Sequence, residues 1–261
     1  MNYLKIAIIG VAGISSRFNK DIPDSEKVLK CIYFEDNPKD TLIYHMVEKL
    51  DSYDKIIVVG GFKYSDLIDY AKKHLKDNIS IVYNGHFEDL SSGYSLYLGI
   101  KEALENFSDI EEILFVEGDL DIDDDSFSKV VSSERNVLTF NHELIYSNKA
   151  VVLYQNDNDE YHYLFNSDHG TLIIPEEFKA IFNSGQTWKF QDMDLLKIAN
   201  DNFKEYLIED TNLAIIQKYF DLVKNNDEIE LIGLKHWVNC NTREDYKLIK
   251  DYWRKNDEIT R

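Results

Sequence analysis

The chain has 261 residues, 44% of them hydrophobic and 30% charged, with a formal net charge of −19. This composition is globular rather than disordered, and so acidic a chain with no visible basic face is not built to grip duplex nucleic acid. Two cysteines, Cys31 and Cys240, supply neither a disulfide framework nor a metal-binding pattern, and the longest strongly apolar run, about residues 6–14, is too short to cross a membrane.

That run also lacks a small-residue cleavage region after it, so no signal peptide is expected and the cytoplasm is the expected compartment. In chain order, residues 3–9 read as a first strand and residues 41–50 as a helix, with Leu42, Met46 and Leu50 on one face. Residues 55–59 (KIIVV) read as a second buried strand closed by Gly60 and Gly61. Ser65 is expected to cap a helix carrying Leu67, Ile68, Ala71 and Leu75. Residues 79–83 follow as a strand, 93–104 as a helix and 113–116 as a strand. This β-α-β alternation predicts a parallel sheet with helices on both faces. The second half changes character. Strands are expected at 137–140, 150–154, 161–165 and 171–174, helices at about 191–206 and 210–225, and a late strand at 229–234. Thr242 with Asp245 reads as a capping box opening the last helix.

The chemistry concentrates in the loop after the first strand. Gly10 and Gly13 follow a buried strand directly, Ser15, Ser16 and Arg17 come next, and Lys27 stands ten residues beyond Arg17. Glycine lets a backbone turn tightly and approach a ligand, although an ordinary β-to-α turn would also use it. A dinucleotide fingerprint would need a third glycine leading straight into a helix, and a P-loop would need Gly-Lys-Ser/Thr. Neither is present, and residues 19–26 (NKDIPDSE) are polar and loop-like. A long loop with two cations can fold over a triphosphate, its main-chain N–H groups sharing the charge. A phosphate site in so acidic a chain has to be a local basic pocket, because the global field repels anions. The second feature is Glu117-Gly118-Asp119 at the end of a buried strand. Ligands of open α/β sheets lie beyond the carboxyl ends of strands. An aspartate there can hold Mg²⁺ or simply turn the chain.

At these residues the sequence resembles the nucleotidyltransferase superfamily that makes sugar nucleotides and CDP-alcohols. Gly10-Val11-Ala12-Gly13-Ile14-Ser15-Ser16-Arg17-Phe18, a variable loop, and Lys27-Val28-Leu29 match its signature, with Glu26 where a proline is usual. Glu117-Gly118-Asp119 resembles the cytidylyltransferase branch, including the phosphocholine and phosphonate enzymes. Tyr83-Asn84 and Ser91-Ser92-Gly93-Tyr94-Ser95-Leu96 fall where that branch recognises base and ribose, although Ser92 and Gly93 would equally cap a helix. The closing segment, residues 237–246, resembles the end of the family pattern, but Asn241 stands where a second metal-binding aspartate is usual, with Asn239 nearby.

The resemblance implies an α/β fold: a Rossmann-like mixed, mostly parallel sheet with helices on both faces and an embedded β-rich acceptor region. It implies one domain over 1–261, with a nucleotide-binding half to about 135 and an acceptor-side half beyond. The implied activity is Mg-dependent transfer of a nucleoside monophosphate from an NTP, CTP favoured, to a phosphorylated or phosphonate small molecule, releasing pyrophosphate. Arg17 and Lys27 would be catalytic. Gly10, Val11, Ala12, Gly13, Ser15, Ser16, Asn84, Ser92 and Gly93 would bind the nucleotide, and Asp119 and Asn241 the metal. The acceptor phosphate is already anionic, so no general base is needed, and His45, His86 and His169 stand alone in the sequence. Nucleotide and acceptor are the expected partners, without nucleic acid or membrane; a homodimer is allowed. Two alternatives remain. One is a GT-A-like glycosyltransferase using Asp119-Leu120-Asp121 as its D-x-D. The other is a nucleotide-binding relative with impaired catalysis.

Overall fold

The computed structural model describes residues 3–147, 151–164 and 171–260, with the helical backbone alone over 257–260. In chain order, β1 (Leu4–Gly10) leads through two short 3₁₀ turns to α1 (Leu42–Lys49), β2 (Lys55–Gly60), α2 (Tyr64–His74), β3 (Ile79–Tyr83), α3 (Ser92–Asn106) and β4 (Ile110–Glu117). β5 (Leu120–Ile122), α4 (Asp124–Ser132), β6 (Asn136–Asn141), β7 (Val152–Asn156), β8 (Tyr161–Leu164) and β9 (Phe178–Phe190) follow. The chain closes with α5 (Met193–Tyr206), α6 (Asn212–Leu222), β10 (Ile229–Leu234), β11 (Trp237–Asn239) and α7 (Arg243–Thr260).

Nine strands form one sheet whose main path runs β10-β6-β9-β4-β1-β2-β3, with β7 and β8 branching from β9. Strands β4, β1, β2 and β3 are mutually parallel, as are β6 and β10, while β9 runs antiparallel between β4 and β6. Along the central strands alternate residues face opposite cores. Ile6, Ile8, Ile57, Val59, Ile113 and Phe115 join Leu96, Leu196 and Ile216 of α3, α5 and α6. Ala7, Ile9, Ile56, Val58, Leu114 and Val116 join Met46, Leu67 and Phe127 of α1, α2 and α4. A sheet covered on both faces needs such continuous apolar strands. A third, smaller cluster packs Phe18 and Leu42 against Cys240, Tyr246, Ile249 and Trp253, joining the loop after β1 to α7.

The expected α/β architecture is present, and two local expectations, the Ser65 cap and the strand at 171–174, are corrected. The helix expected to be capped by Ser65 starts at Tyr64, with Lys63 in its cap position at φ 53°. The acidic run at 121–125 splits into β5 and the start of α4, where the Asp123 carboxylate accepts the Ser126 N–H at 2.8 Å. No strand forms at 171–174, where Pro175 ends the run. Instead the thirteen-residue β9 starts at Phe178. Its middle, Asn183-Ser184-Gly185-Gln186, is a bulge inside the strand. The register against β6 shifts between Leu138 and Phe140, and Gln186 adopts φ 53°. Bulges of this kind re-aim side chains beside sites. The strands expected at 150–154 and 161–165 appear as β7 and β8, with Ala150 and Phe165 outside the described residues.

Candidate active site

The carboxyl ends of β1, β2 and β4 meet at one edge of the sheet. Three backbone bonds fix the turn leaving β1: Val11 N–H to Val59 O at 2.9 Å, Phe62 N–H to Ala12 O at 3.1 Å, and Gly118 N–H to Gly10 O at 2.9 Å. Gly118 has to be glycine for this last approach, since a Cβ there would lie 2.3 Å from Val11 Cγ1 and 3.0 Å from the Gly10 carbonyl. The acidic end of β4 is thereby pressed against the glycine turn.

Beyond Gly13 the loop is held by its own side chains. Ser15 turns the backbone at φ 54°, and its hydroxyl accepts the Lys30 N–H at 3.3 Å. Asn19 is the loop's staple. It is buried; its amide donates to Ser15 O at 3.1 Å and Val28 O at 2.8 Å, and its Oδ1 accepts the Val28 N–H at 3.0 Å. This folds residues 15–28 back on themselves and delivers Lys30 to the sheet edge. There the Lys30 ammonium pairs with the Asp119 carboxylate at 2.6 Å, each side chain only about a fifth exposed.

A cavity of about 210 Å³ opens between this loop and the start of α3. Gly10, Val11, Ala12, Gly13, Ser15, Leu29, Lys30 and Cys31 line one side, Phe115, Glu117, Gly118 and Asp119 the floor, and Asn84, Phe87, Leu90, Ser91, Ser92 and Ser95 the other. Asn84 is fully engaged: its amide donates to Ser95 Oγ at 2.9 Å and its Oδ1 accepts the His86 N–H at 2.8 Å. Ser92 Oγ accepts the Asn212 N–H at 3.2 Å, and the Asn212 amide donates to Glu117. Burial, then the neighbouring Asp119 charge, pushes the Glu117 carboxyl up to about 8, against the pull of Asn212 and Lys30. Burial raises both thiols, Cys240 to about 12, so neither is a ready nucleophile.

The antiparallel pairing of β5 with β11 brings the C-terminal segment to Asp119. Asn239 pairs with Leu120, and the Cys240 N–H donates to the Asp119 carbonyl at 2.8 Å. The side-chain oxygens of Asn239 and Asn241 are buried there without a hydrogen-bond partner. Buried polar atoms are normally satisfied; these two amide oxygens, on the segment whose backbone is bonded to Asp119, are hard donors left open, and neither residue lines the cavity. Such donors suit Mg²⁺. Among the described residues no group of three His, Cys, Asp or Glu side chains could hold a metal; this donor set is amide-rich instead.

Of the residues expected from sequence, Gly10, Val11, Ala12, Gly13, Ser15, Asn84, Ser92 and Asp119 line the cavity. Ser16 and Arg17 are exposed on the outer loop, and among the described residues the Arg17 side chain has no hydrogen-bond or ion-pair partner. Lys27 pairs with Asp24 at 2.6 Å, away from the cavity lining. Gly93 lies under α3, where a Cβ would meet Asp210 O at 2.4 Å. Asn241 follows β11 and does not line the cavity. The sequence reading did not single out Lys30, Asn19 or Asn212, and it quoted Glu117 within its motif without giving it a role. Lys30 sits three residues past the signature lysine, and the only signal for it is the 3₁₀ turn that carries it (Lys30–Ile32). Asp121 faces away from the cavity, with one oxygen accepting Trp253 Nε1 at 2.8 Å and the other 2.9 Å from His236 Nε2. His86 pairs with Asp89 on the surface and His45 stacks on Trp253, while His169 lies outside the described residues.

No helix among the described residues is long and apolar enough to cross a membrane. The fold is that of nucleotidyltransferases. The chain is similar to CTP:phosphocholine cytidylyltransferase from Streptococcus pneumoniae, with TM-score 0.63 and 15% identity over 96% of this chain and 99% of that one. It is similar to the inositol-1-phosphate CTP transferase from T. maritima, with TM-score 0.64 and 15% identity over 95% and 96%. It is similar to 4-diphosphocytidyl-2C-methyl-D-erythritol synthase from Anaerococcus prevotii, with TM-score 0.57 and 18% identity over 97% and 96%. At these identities the likeness is one of fold. No match was found among curated proteins. A sequence profile covers residues 26–253, and the chain therefore belongs to the family described as a domain of unknown function, DUF6564.

Proposed function

We propose that this protein is a divalent-metal-dependent nucleotidyltransferase, with CTP as the favoured donor and a small phosphorylated or phosphonate molecule as acceptor. The observation that carries the reading is the Lys30–Asp119 pair, at 2.6 Å, at a cavity walled on one side by the glycine turn. Donor N–H groups, a cation and a carboxylate converge where an α-phosphate would lie.

In the proposed reaction an acceptor phosphate oxygen attacks the α-phosphorus of the NTP in line. The new P–O bond forms as the bond to the β-phosphate oxygen breaks, and pyrophosphate leaves. The nucleophile is anionic at neutral pH, so catalysis reduces to positioning and charge neutralisation. The turn at Gly10–Gly13 offers backbone N–H groups. Lys30 neutralises charge near Asp119, while Arg17 and Lys27, on the outer loop, reach the β- and γ-phosphates. Asn84 and Ser92 stand on the base and ribose side, with Ser16 and Gly93 in supporting positions. Asp119 would hold Mg²⁺ with the Asn241 and Asn239 amide oxygens. When bound, the ion supplies Lewis-acid stabilisation of phosphoryl charge. The two halves of the chain, to about residue 135 and beyond it, would serve donor and acceptor. A cytoplasmic location and a homodimer are compatible with this reading.

Asp121 weighs against the D-x-D glycosyltransferase alternative, because both its oxygens are engaged by Trp253 and His236. The test is pyrophosphate release across the four NTPs with Mg²⁺ and a panel of phospho-alcohols, phosphonates and sugar phosphates. CTP with one acceptor class should dominate. No pyrophosphate with any pair, or turnover of a nucleotide sugar instead, would sink the proposal.

A further inference from the structure

Arg243 is a cation that the proposed chemistry does not use. It opens α7, two residues past Asn241. Its guanidinium carbon lies 4.3 Å from the ring centre of Tyr33 and 5.0 Å from that of Phe18. Its Nε is buried with no hydrogen-bond partner, and among the described residues its side chain meets these two rings alone. A guanidinium held by aromatic faces alone is a cation–π contact, not half of a salt bridge.

The two rings belong to opposite ends of the phosphate-side loop. Phe18 follows Arg17, and Tyr33 follows the turn that carries Lys30. They meet edge to face at 5.2 Å, and Tyr33 meets Tyr246 of α7 at 4.9 Å. Below them Phe18, Cys240 and Tyr246 form the small third core, and Tyr246 donates to the Asp40 carbonyl at 2.8 Å. The capping box fixes Arg243 in turn, with the Thr242 N–H donating to Asp245 at 2.7 Å and the Asp245 N–H to Thr242 Oγ1 at 3.2 Å. The same Asp245 carboxylate accepts the Asn241 N–H at 2.9 Å. Arg243 therefore lies where the loop with Arg17 and Lys30 meets the segment with Asn239 and Asn241.

We propose that Arg243 is a positioning residue that clamps the loop at residues 15–33 onto α7, keeping the loop cations in register with the amide oxygens beside Asp119 and thereby setting affinity for the nucleoside triphosphate. The consequence for nucleotide rests on the function proposed above; the clamp itself does not. Because Arg243 has no carboxylate partner, removing its charge strands no buried anion, so Arg243→Gln is expected to fold.

The test measures hydrogen exchange over residues 15–33 without nucleotide, and Mg-CTP binding and steady-state kinetics alongside. Arg243→Gln should speed loop exchange and raise KM about tenfold each, the scale of one desolvated cation–π contact, with kcat changed less and α2 and α5 unaffected. Arg243→Lys, still a cation, should recover part of both effects. Tyr33→Leu should reproduce them, and adding Arg243→Gln to it should cost little more. Unchanged loop exchange in Arg243→Gln overturns the clamp, whatever the activity. Faster exchange with unchanged CTP affinity overturns its coupling to nucleotide. Should the unaltered protein bind no nucleoside triphosphate, the proposed function fails, and the clamp is decided by exchange alone.

Discussion

Two lysine–carboxylate pairs flank β4. Near its start, Lys189 meets Glu112 at 3.1 Å; just past its end, Lys30 meets Asp119 at 2.6 Å. The first is saturated. Lys189 also donates to the carbonyls of Val131 and Ser133, both at 2.8 Å, and Glu112 also accepts from Tyr53 and Gln191. Both members are fully buried, and burial pulls the Lys189 ammonium down from its ordinary range. The second pair has one bond, partial exposure and a cavity beside it. The contrast teaches where this molecule keeps fixed charge and where it keeps charge available. A saturated buried pair has nothing left to offer a ligand. Lys30 and Asp119 each retain free hydrogen-bonding capacity.

The largest effect should come from breaking the saturated pair. Lys189→Met leaves the buried Glu112 with Lys5 alone, at 3.5 Å, as its cation, and should cost up to about 3–5 kcal/mol in denaturant unfolding. Replacing both, as Lys189→Met with Glu112→Leu, should recover much of that loss. Folded protein from either variant should keep its turnover per molecule. Breaking the open pair should do the reverse: Lys30→Ala should lower turnover on the order of 10²–10³, the scale of one electrostatic donor, with Tm nearly unchanged. If Lys30→Ala unfolds the protein and spares turnover, the comparison is inverted. Lys27→Ala, by the same assay, separates the signature lysine from its neighbour; turnover retained there and lost in Lys30→Ala would move the catalytic role along the loop.

Smaller effects sharpen the picture of the open end. Asn19→Ala removes three hydrogen bonds at a buried loop staple, and should cost about 1–3 kcal/mol together with a raised KM for nucleotide. Asn241→Asp restores a charge beside Asp119. It should lower the Mg²⁺ concentration for half-maximal activity by about tenfold, since affinity follows ligand charge. A higher requirement would mean that Asn241 lies outside the metal's reach.

Much of the nucleotide side was legible because it is written locally. The unbroken apolar runs of β1, β2 and β4 announce strands buried on both faces, and Gly10, Gly13 and Asp119 stand immediately at their ends. What the sequence hid depends on distant partners. Lys30 acquires meaning only once the loop folds back through Asn19 to reach a residue 89 positions away. Glu117 looked like half of a turn until Asn212, from α6, came to rest on it. β9 was missed because its bulge at Ser184-Gly185-Gln186 has loop composition, and its pairing with β4, β6 and β7 makes it a strand. Asn239 and Asn241 were visible as departures from a pattern. That their oxygens are left without partners is a fact of packing.

The third core also sets an order of events during synthesis. Phe18 and Tyr33 leave the ribosome well before the surfaces they pack on, Cys240, Arg243, Tyr246 and Trp253, are made. Until α7 emerges the loop's aromatic residues lack that support. The amino-terminal half of the site is thus completed by the carboxyl-terminal helix, and a chain cut before α7 would keep its glycine turn while leaving the loop beyond it unsupported.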